Sequence, residues 1–261
     1  MESSENVIAL EARLRACRNV TTLGVRPDFS SYSPSEARLI KDAKKIYYPS
    51  VYYADMFAAM GKKTFPSAHN YRFVQDKIKQ TALFYLLGIP CPRTRVFYGR
   101  FRHEKIIQHF QFPFVAKIPR GSASGRGVFL ITRPEQLADY IALTKVAYIQ
   151  EYLKVEKDIR VVIIGDHFVH AYRRTPVPGE FRCNVGFGAN ISFDDIPAAA
   201  IDLARHTAKL CRWNDVGIDV CVSGRNCYIL EANMKYGREG FRQAGIDYGH
   251  LMETMIRDGK I

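Results

Sequence analysis

Hydrophobic and polar residues follow patterns typical of short strands and helices over the first part of the chain. Apolar runs at 20–25 and 45–50 predict two short strands. Between them, Ser33, a proline and an acidic residue precede an apolar stripe, which is a usual helix start. A second helical run ends at Gly61. The pattern therefore predicts a small, shortened α/β segment over residues 1–70.

From residue 71 onwards the pattern changes to one helix followed by many strands. Six apolar positions at helical spacing predict that helix before Gly88 and Pro90, namely Phe73, Val74, Ile78, Leu83, Leu86 and Leu87. Strands are expected at 94–98, 112–118, 127–132, 146–153, 158–165 and 167–174, and helices at 134–144, 196–212 and 248–257. Strands outnumber helices after residue 110, which predicts two α+β lobes, about 71–150 and 151–261, rather than one doubly wound sheet.

Composition is typical of a globular protein. The 261 residues are 47% hydrophobic and 25% charged, and no apolar run approaches the roughly 18 residues of a membrane span. The N-terminus is acidic where a secretory signal would be basic, so the sequence predicts a cytoplasmic protein. The cysteines lack a CxxC pair, which favours free thiols over a zinc site or a disulfide framework; they are Cys17, Cys91, Cys183, Cys211, Cys221 and Cys227.

The net charge of +12 narrows the class of partner without naming one. Such a surplus attracts nucleotide phosphates, acidic peptides or RNA. The basic residues are spread along the chain, however, as on a generally solvated surface. None of the seven histidines has metal-ligand spacing, and no Ser-His-Asp arrangement is evident.

Three oxygen-bearing side chains lie in the apolar stretch 216–233. Glu231 and Asn233 are two apart on a predicted strand and share a face. A three-residue turn would place Asp219 opposite Glu231 on that face, whereas a two-residue turn would send Asp219 to the other side. Two carboxylates and a carboxamide suit Mg²⁺, which takes carboxylates, waters and phosphate oxygens. The alternative is the polar exposed face of an edge hairpin.

A glycine-rich connection joins two of the predicted strands. Lys117 ends the first strand, and Gly121, Gly125 and Gly127 follow before the second begins. Glycines allow backbone amides to approach phosphate groups closely, and a lysine adds a point charge. No Gly-Lys-Ser/Thr run and no helix follow, which excludes a Walker A loop. The alternative is an ordinary Gly/Ser-rich hairpin turn.

Seven motifs occur in a fixed order over about residues 112–250. They are "FVAK", the glycine-rich lid, "QEYL", "DIR" before a hydrophobic strand, "FRCN", "GIDV" and "LEAN". Together they resemble the ATP-grasp superfamily, specifically its RimK-type carboxylate–amine ligases, and "QDK" with "LLGIPCPRT" extends the resemblance to about residue 71. The resemblance implies an ATP-grasp fold, in which two α+β lobes grip ATP.

The resemblance also implies a role for each matching residue. Lys117, with Lys77 as a second lysine, would hold the nucleotide phosphates, and a lid containing Gly121, Ser122, Gly125 and Gly127 would close over them. Glu151 and Tyr152 would line the adenine pocket, and Asp158 would receive the ribose hydroxyls. Arg182 and Asn184 would face the transferring phosphoryl group, with Arg182 and Lys117 as the catalytic cations. Asp219, Glu231 and Asn233 would hold two Mg²⁺ ions, with Mn²⁺ as the other candidate metal.

The chain departs from the family pattern in the loop that follows Asn233. The family usually has Ser-Pro-Gly there, whereas residues 234–240 of this chain include Lys235 and Arg238. Two cations at a position that is neutral in the family predict an acidic or otherwise anionic substrate. Cys183 stands where serine is usual, and the N-terminal α/β segment is shorter than usual.

The sequence therefore predicts an ATP-dependent ligase that joins a carboxylate, on a peptide tail or a small molecule, to an amino-acid amine through an acyl phosphate. A homo-oligomer is a possible assembly; a membrane partner is not expected, and nucleic acid is disfavoured. Two alternatives stay open. One is an ATP-grasp nucleotide-binding regulator or phosphotransferase without ligase turnover, and the other is a basic RNA- or ribosome-associated module. The second alternative lacks an RNP-like aromatic motif and a continuous basic stripe.

Overall fold

The computed structural model describes residues 7–122, 125–183, 186 and 188–261. Its strands are β1 Ile8–Ala9, β2 Thr21–Thr22, β3 Lys45–Tyr47, β4 Lys63–Phe65, β5 Thr94–Phe97, β6 Phe114–Lys117, β7 Val128–Ile131, β8 Ala147–Glu151, β9 Lys157–Ile164, β10 His167–Thr175, β11 Asn190–Ser192, β12 Asp215–Ser223 and β13 Asn226–Asn233. Its α-helices are α1 Pro34–Asp42, α2 Ser50–Ala59, α3 Ala68–Tyr71, α4 Lys77–Leu86, α5 Arg102–His109, α6 Pro134–Leu143, α7 Ala198–Leu210, α8 Glu239–Gln243 and α9 Tyr248–Arg257.

The N-terminal sheet is parallel, with the strand order β2-β1-β3-β4. The sequence predicts β2 and β3 and misses β1 and β4, although all four strands are only two or three residues long. Helix α1 begins as predicted, with a capping box in which Ser33 and Glu36 each accept a hydrogen bond from the other's backbone amide. At the carboxyl edge of this sheet the Glu11 amide donates to the Tyr48 carbonyl oxygen at 2.9 Å, so the loops after β1 and β3 lie side by side.

The second sheet is antiparallel, with the order β5-β8-β6-β7. Its core includes Phe114, Leu137 and Ile149, which have no exposed surface. Helix α6 supplies Leu137, and helix α5, which the hydrophobic pattern does not reveal, supplies the equally buried Ile106. This sheet carries Lys117 at the end of β6 and Glu151 at the end of β8.

The third sheet is antiparallel, with the order β11-β10-β9-β12-β13. One face buries Val161 and Ile218 in a core that also contains residues of α4 and α7. On the opposite face the even-numbered residues of β9 change from charged to apolar along the strand. Val162 and Ile164 pack there in a core shared with the N-terminal sheet and α9. The charged half of that face is the part available for a polar site.

Helix α4 begins later than the hydrophobic spacing predicts. Gln75 has φ +51°, in the left-handed region, so the backbone cannot continue as an α-helix through this residue. The helix starts after Asp76, whose side chain accepts a hydrogen bond from the Lys79 amide at 3.0 Å. Phe73 still packs into the core, with its ring centroid 5.4 Å from that of Trp213. Apolar spacing thus reports which residues are buried, and here it does not report the backbone conformation.

The remaining predicted helices are confirmed, with ends that differ by up to two residues. Helix α9 spans the predicted residues, and α7 is two residues shorter at each end. Within the described ranges, no helix combines the length and the apolar character needed to cross a bilayer.

Candidate active site

A cavity of about 610 Å³ is lined by residues of both the second and the third sheets. It collects most of the residues that the sequence singles out, which are Lys77, Lys117, Ser122, Gly125, Glu151, Tyr152, Asp158, Arg182, Asp219, Glu231 and Asn233. Gly121 and Gly127 belong to the adjoining lid and do not line the cavity. Asn184 lies outside the described residues. We call this space the first cavity.

The β12–β13 hairpin places Asp219 opposite Glu231, but by a route that differs from the expected one. The turn has two residues and not three, because Ser223 pairs with Asn226. Val220 then pairs with Ile229, and a shift in register follows before Asp219 pairs with Glu231. The shift is a β-bulge that adds one residue to β13, and it restores the shared face that a two-residue turn alone would have removed.

Two buried arginines hold Asp219 from the neighbouring strands. Arg160 donates through Nε and Nη2, the latter to Oδ2 at 3.0 Å, and Arg174 Nη2 lies 3.1 Å from Oδ1. Asn233 Nδ2 also donates to Oδ2, at 3.1 Å. Burial opposes ionisation, but the two guanidinium groups outweigh it and keep the pKa of Asp219 below its usual range. Asp219 is therefore a carboxylate that remains charged in a buried position.

Glu231 lies beside two buried lysines. Lys77 Nζ is 3.3 Å from Glu231 Oε1, and the Lys77 and Lys117 residues are only 5% and 7% exposed. Burial lowers the pKa of Lys117, and Lys77 adds to that effect while Glu231 opposes it. Two cations this deeply buried need anionic partners, and Glu231 alone supplies one charge. A polyanion such as a polyphosphate would supply the rest.

Asp219, Glu231 and Asn233 fit a divalent cation by the chemistry of their donor atoms. All three carry hard oxygen atoms and line the first cavity, and Asp219 pairs with Glu231 across two strands. In the described part of the chain, no group of three or more His, Cys, Asp or Glu side chains could hold a metal ion. Mg²⁺ usually keeps water or phosphate oxygens beside one or two carboxylates, which is the kind of site these residues would form.

Glycine is favoured at the three lid positions for two different physical reasons. Gly121 and Gly125 adopt φ values of +66° and +75°, which favour glycine. Gly127 has an ordinary φ, but a Cβ atom at this position would lie 2.4 Å from Ser122 Oγ. The lid therefore packs on itself too closely for a side chain at Gly127.

The base of the lid is attached to the start of α4. Lys77 Nζ donates to the Ser122 carbonyl oxygen at 3.2 Å, and the Lys77 amide donates to that of Pro119 at 3.0 Å. The Gly121 amide donates to the Gln75 carbonyl oxygen at 3.2 Å. Lys77 thus contacts both the lid and Glu231, which couples the position of the lid to the carboxylate.

Part of the lining of the first cavity is apolar, which suits a flat aromatic base. Its apolar side chains are Pro92, Val115, Val128, Leu153 and Leu230. Glu151 also lines the cavity and accepts a hydrogen bond from the Arg93 amide at 2.6 Å, and its neighbour Tyr152 is 43% exposed. Asp158 lies further in, where its carboxylate accepts from Arg174 Nε at 2.6 Å. A ribose hydroxyl would therefore share Asp158 with Arg174.

Arg182 is held between the cavity wall and the lid. Its Nη2 lies 2.6 Å from Glu180 Oε2, and its Nη1 lies 3.5 Å from the Gly125 carbonyl oxygen. Sequence reasoning missed Glu180 as a partner and gave no role to Arg160 or Arg174. Glu180 stands two residues before Arg182, and Arg160 stands two residues after Asp158 on one face of a strand, so local spacing contained a signal for both.

The two predicted substrate cations, Lys235 and Arg238, do not lie in the first cavity. They line a second cavity of about 310 Å³, next to the loops that follow β1 and β3. Lys235 Nζ lies 3.0 Å from Glu11 Oε1. Arg238 donates to the Arg13 carbonyl oxygen and lies over the Tyr248 ring, 4.3 Å from its centroid.

Comparisons with known proteins show the family and the fold of this chain. Residues 74–256 match the family described as the RimK-like ATP-grasp domain. The probable alpha-L-glutamate ligase of Alkalilimnicola ehrlichii is 31% identical over 199 residues, which cover 71% of this chain and 65% of that protein. The ribosomal protein bS6–L-glutamate ligase of an Escherichia coli strain is 28% identical over 190 residues, covering 70% and 63%. The chain thus spans less than two thirds of either relative.

The fold is also found among solved structures. The ATP-grasp ligase PsnB, complexed with a minimal precursor, Mg and ADP, superposes with a TM-score of 0.72 at 17% identity, covering 99% of each chain. This likeness confirms the predicted α+β fold of the ATP-grasp type.

Proposed function

The chain belongs to the RimK-like ATP-grasp family, and on that basis we propose that it is an ATP-dependent carboxylate–amine ligase. The observation that carries the proposal is the set of residues that line the first cavity. The cavity is lined by two buried lysines, an arginine, a pair of facing carboxylates with a carboxamide, and several apolar side chains. Such groups can position a nucleoside triphosphate and neutralise its charge.

In the first step, the acceptor carboxylate oxygen attacks the γ-phosphorus of ATP, and the bond to the ADP oxygen breaks. Lys77 and Lys117 neutralise phosphate charge, and Arg182 faces the transferring group. Asp219, Glu231 and Asn233 would hold Mg²⁺. The proposal includes a second ion, with Mn²⁺ as the alternative metal. Bound metal would supply charge neutralisation and orientation of the phosphates. Asn184 remains a candidate phosphoryl contact.

In the second step, a neutral amine attacks the acyl carbon of the resulting acyl phosphate. The carbon–nitrogen bond forms, the carbon–oxygen bond to phosphate breaks, and the amine proton leaves with inorganic phosphate. Closure of the lid from Gly121 to Gly127 excludes water, which would otherwise hydrolyse the acyl phosphate. The apolar part of the lining, together with Glu151 and Tyr152, would contact the adenine, and Asp158 would bind the ribose hydroxyls.

The substrate classes in this proposal come from the relatives' names and from the second cavity. One relative is named a ribosomal protein–glutamate ligase, and the structural neighbour PsnB is complexed with a precursor peptide, so the acceptor that we propose is a peptide or small-molecule carboxylate. Lys235 and Arg238 line a cavity beside the metal-binding strand end and are the proposed substrate contacts. The proposed division is an N-terminal segment, 1–70, and ATP-grasp lobes at about 71–150 and 151–261.

Two features of the proposal concern its setting. Cytoplasm is the proposed compartment, because ATP is supplied there and the six cysteines are free thiols. A homo-oligomer is the proposed assembly, as the family resemblance implies.

Phosphate release from ATP tests the proposal. We expect release that requires Mg²⁺, a carboxylate and an amine together, tested across acidic peptides and amino acids, and a loss of about 100-fold or more in Glu231→Gln. Glu135→Gln, an exposed carboxylate change on α6, is the matched control. Tight nucleotide binding without substrate-dependent release would instead favour a regulator, and salt-sensitive RNA binding without ATP turnover would favour the RNA module.

A further inference from the structure

An ion pair beside the first cavity joins the base of the lid to the residue that precedes α4. Arg120 Nε donates to Asp76 Oδ2 at 3.0 Å, and the backbones of the same two residues form an antiparallel bridge. Neither residue is among the described residues that line the first cavity. The pair is therefore placed to act on a nucleotide in that cavity only through its neighbours.

The Asp76 carboxylate divides its two oxygens between two parts of the structure. Oδ1 accepts the Lys79 amide at 3.0 Å and caps α4, whereas Oδ2 accepts the hydrogen bond from Arg120. The Asp76 side chain is only 12% exposed, and a carboxylate at such a position is unfavourable unless it is partnered. One side chain thus fixes both where α4 begins and where the base of the lid lies.

Lys77, the next residue after Asp76, belongs to the same connection. Its backbone amide donates to the Pro119 carbonyl oxygen, on one side of Arg120. On the other side of Arg120, the Gly121 amide donates to the Gln75 carbonyl oxygen. The two segments therefore form one hydrogen-bonded unit with the ion pair between them. Because the buried Lys77 side chain extends from this unit to Glu231, a displacement of the base of the lid displaces the ammonium group as well.

The ion pair is too exposed to contribute much to the stability of the fold. The Arg120 side chain is 58% exposed, and ion pairs in contact with solvent contribute little to the free energy of unfolding. The hairpin that carries the lid is closed independently, because the Ile118 amide donates to the Gly127 carbonyl oxygen at 2.7 Å. Loss of the Arg120 charge should therefore alter the position of the base of the lid and leave the fold intact.

We propose that Asp76 and Arg120 are positioning residues, which hold the base of the lid against α4 and thereby set the place of the Lys77 ammonium group against the nucleotide phosphates. The inference rests on the proposed function, because the nucleotide is a substrate of that reaction. The effect is confined to the phosphates, since Glu151 and Tyr152, at the end of β8, take no part in the hydrogen-bonded unit.

Calorimetric titration of the full chain with Mg²⁺ and either AMPPNP or AMP tests the proposal. Asp76→Asn keeps an oxygen for the helix cap and loses the charge, and Arg120→Met removes the other charge. We expect each variant to bind AMPPNP about threefold more weakly and AMP as wild type does. The double variant should be no weaker than either single one, because both act through one contact. Arg133→Met, which breaks an exposed pair with Glu135 outside the lid, is the matched control.

Hydrogen exchange of the chain without nucleotide tests the same contact independently of the reaction. In Arg120→Met the amides of Lys77 and Gly121 should exchange at least about threefold faster than in wild type, with an unchanged midpoint of urea unfolding. Unchanged exchange would overturn the proposal, as would equal losses of AMPPNP and AMP affinity. If the wild-type chain does not bind AMPPNP, the proposed ligase fails, whereas the exchange rates still decide whether Asp76 and Arg120 hold the base of the lid.

Discussion

Asp219 and Glu231 lie directly opposite each other on β12 and β13, although the two-residue turn between these strands would by itself pair Asp219 with Leu230. The β-bulge in β13 adds the one residue that separates the two registers. As a result, the consecutive residues Leu230 and Glu231 both line the first cavity. The bulge thus brings an apolar side chain and a carboxylate, the latter proposed above as a metal ligand, into the same space.

Deletion of Leu230 should leave Asp219 opposite Glu231, because the two-residue turn then sets this pairing without a bulge. We expect the Mn²⁺ affinity to stay within about threefold of wild type. Nucleotide affinity should fall by about tenfold, since the apolar contact of Leu230 is lost. Mn²⁺ binding by electron paramagnetic resonance and nucleotide binding by calorimetry measure the two effects. Leu230→Ala should reproduce only the second effect, and loss of Mn²⁺ binding in the deletion alone would refute the register argument.

Lys77→Met should change metal affinity and nucleotide affinity in opposite directions. Lys77 Nζ lies 3.3 Å from Glu231 Oε1 and competes with a metal ion for that carboxylate. Without nucleotide, Mn²⁺ affinity should rise by a factor on the order of ten, because a unit charge a few ångströms away is worth a few kcal/mol before screening. Affinity for the nucleotide should fall, since a phosphate partner is lost.

Lys79→Met, on the exposed side of the same helix, should alter neither affinity by more than about twofold. Parallel losses of both affinities in Lys77→Met would indicate a general disruption of the site and would contradict the competition. The comparison requires only binding measurements and does not depend on knowing the substrates.

Gly240→Ala should destabilise the protein, and Gly237→Ala should not. A Cβ atom at Gly240 would lie 2.2 Å from the Tyr172 ring, which is 5% exposed and enclosed by its neighbours. At Gly237 no atom lies within 4 Å and the φ value is not positive. We expect Gly240→Ala to lower the free energy of unfolding by about 1–3 kcal/mol, as overpacking does, and urea unfolding measures the change. Equal stabilities of the two variants would show that the loop moves freely away from Tyr172.

His170 should make the protein less stable in mild acid. Burial, reinforced by the charge of Arg160, lowers the pKa of His170 from 6.5 to about 4. Between these pH values the unfolded chain binds a proton at this residue and the folded chain does not, so stability rises with pH from about 4 to 6.5 and is lost on acidification. The full difference is about 3 kcal/mol.

Urea unfolding at several pH values, with wild type and His170→Phe side by side, measures this contribution. The substitution keeps an aromatic ring against Phe241, whose centroid lies 4.3 Å away, and removes the ionisable group. Stability should depend less on pH between 4 and 6.5 in the variant. Identical pH dependence in both proteins would place the acid sensitivity elsewhere, among the carboxylates.

Much of the local structure follows from the sequence because its causes lie within a few residues. The helix start at Ser33, the strand at β9 and the span of α9 depend on near neighbours, and each is found as predicted. The order of the polar motifs likewise indicated which residues would share the first cavity. Strands β1 and β4 were missed although they are no shorter than β2 and β3, and both are defined by their pairing with other strands of the sheet.

Only the tertiary structure decided the contacts between distant residues. The bulge depends on how β13 pairs with β12 along its whole length, and a turn sequence cannot reveal it. Arg160 and Arg174 contact Asp219 because β10, β9 and β12 lie next to one another in the sheet. Lys235 meets Glu11 across 224 positions because the C-terminal loop lies against the N-terminal sheet. The sequence by itself determined the elements and the kinds of chemistry, while the charge balance of each cavity depends on three-dimensional proximity, since electrostatic interactions act through space and not along the chain.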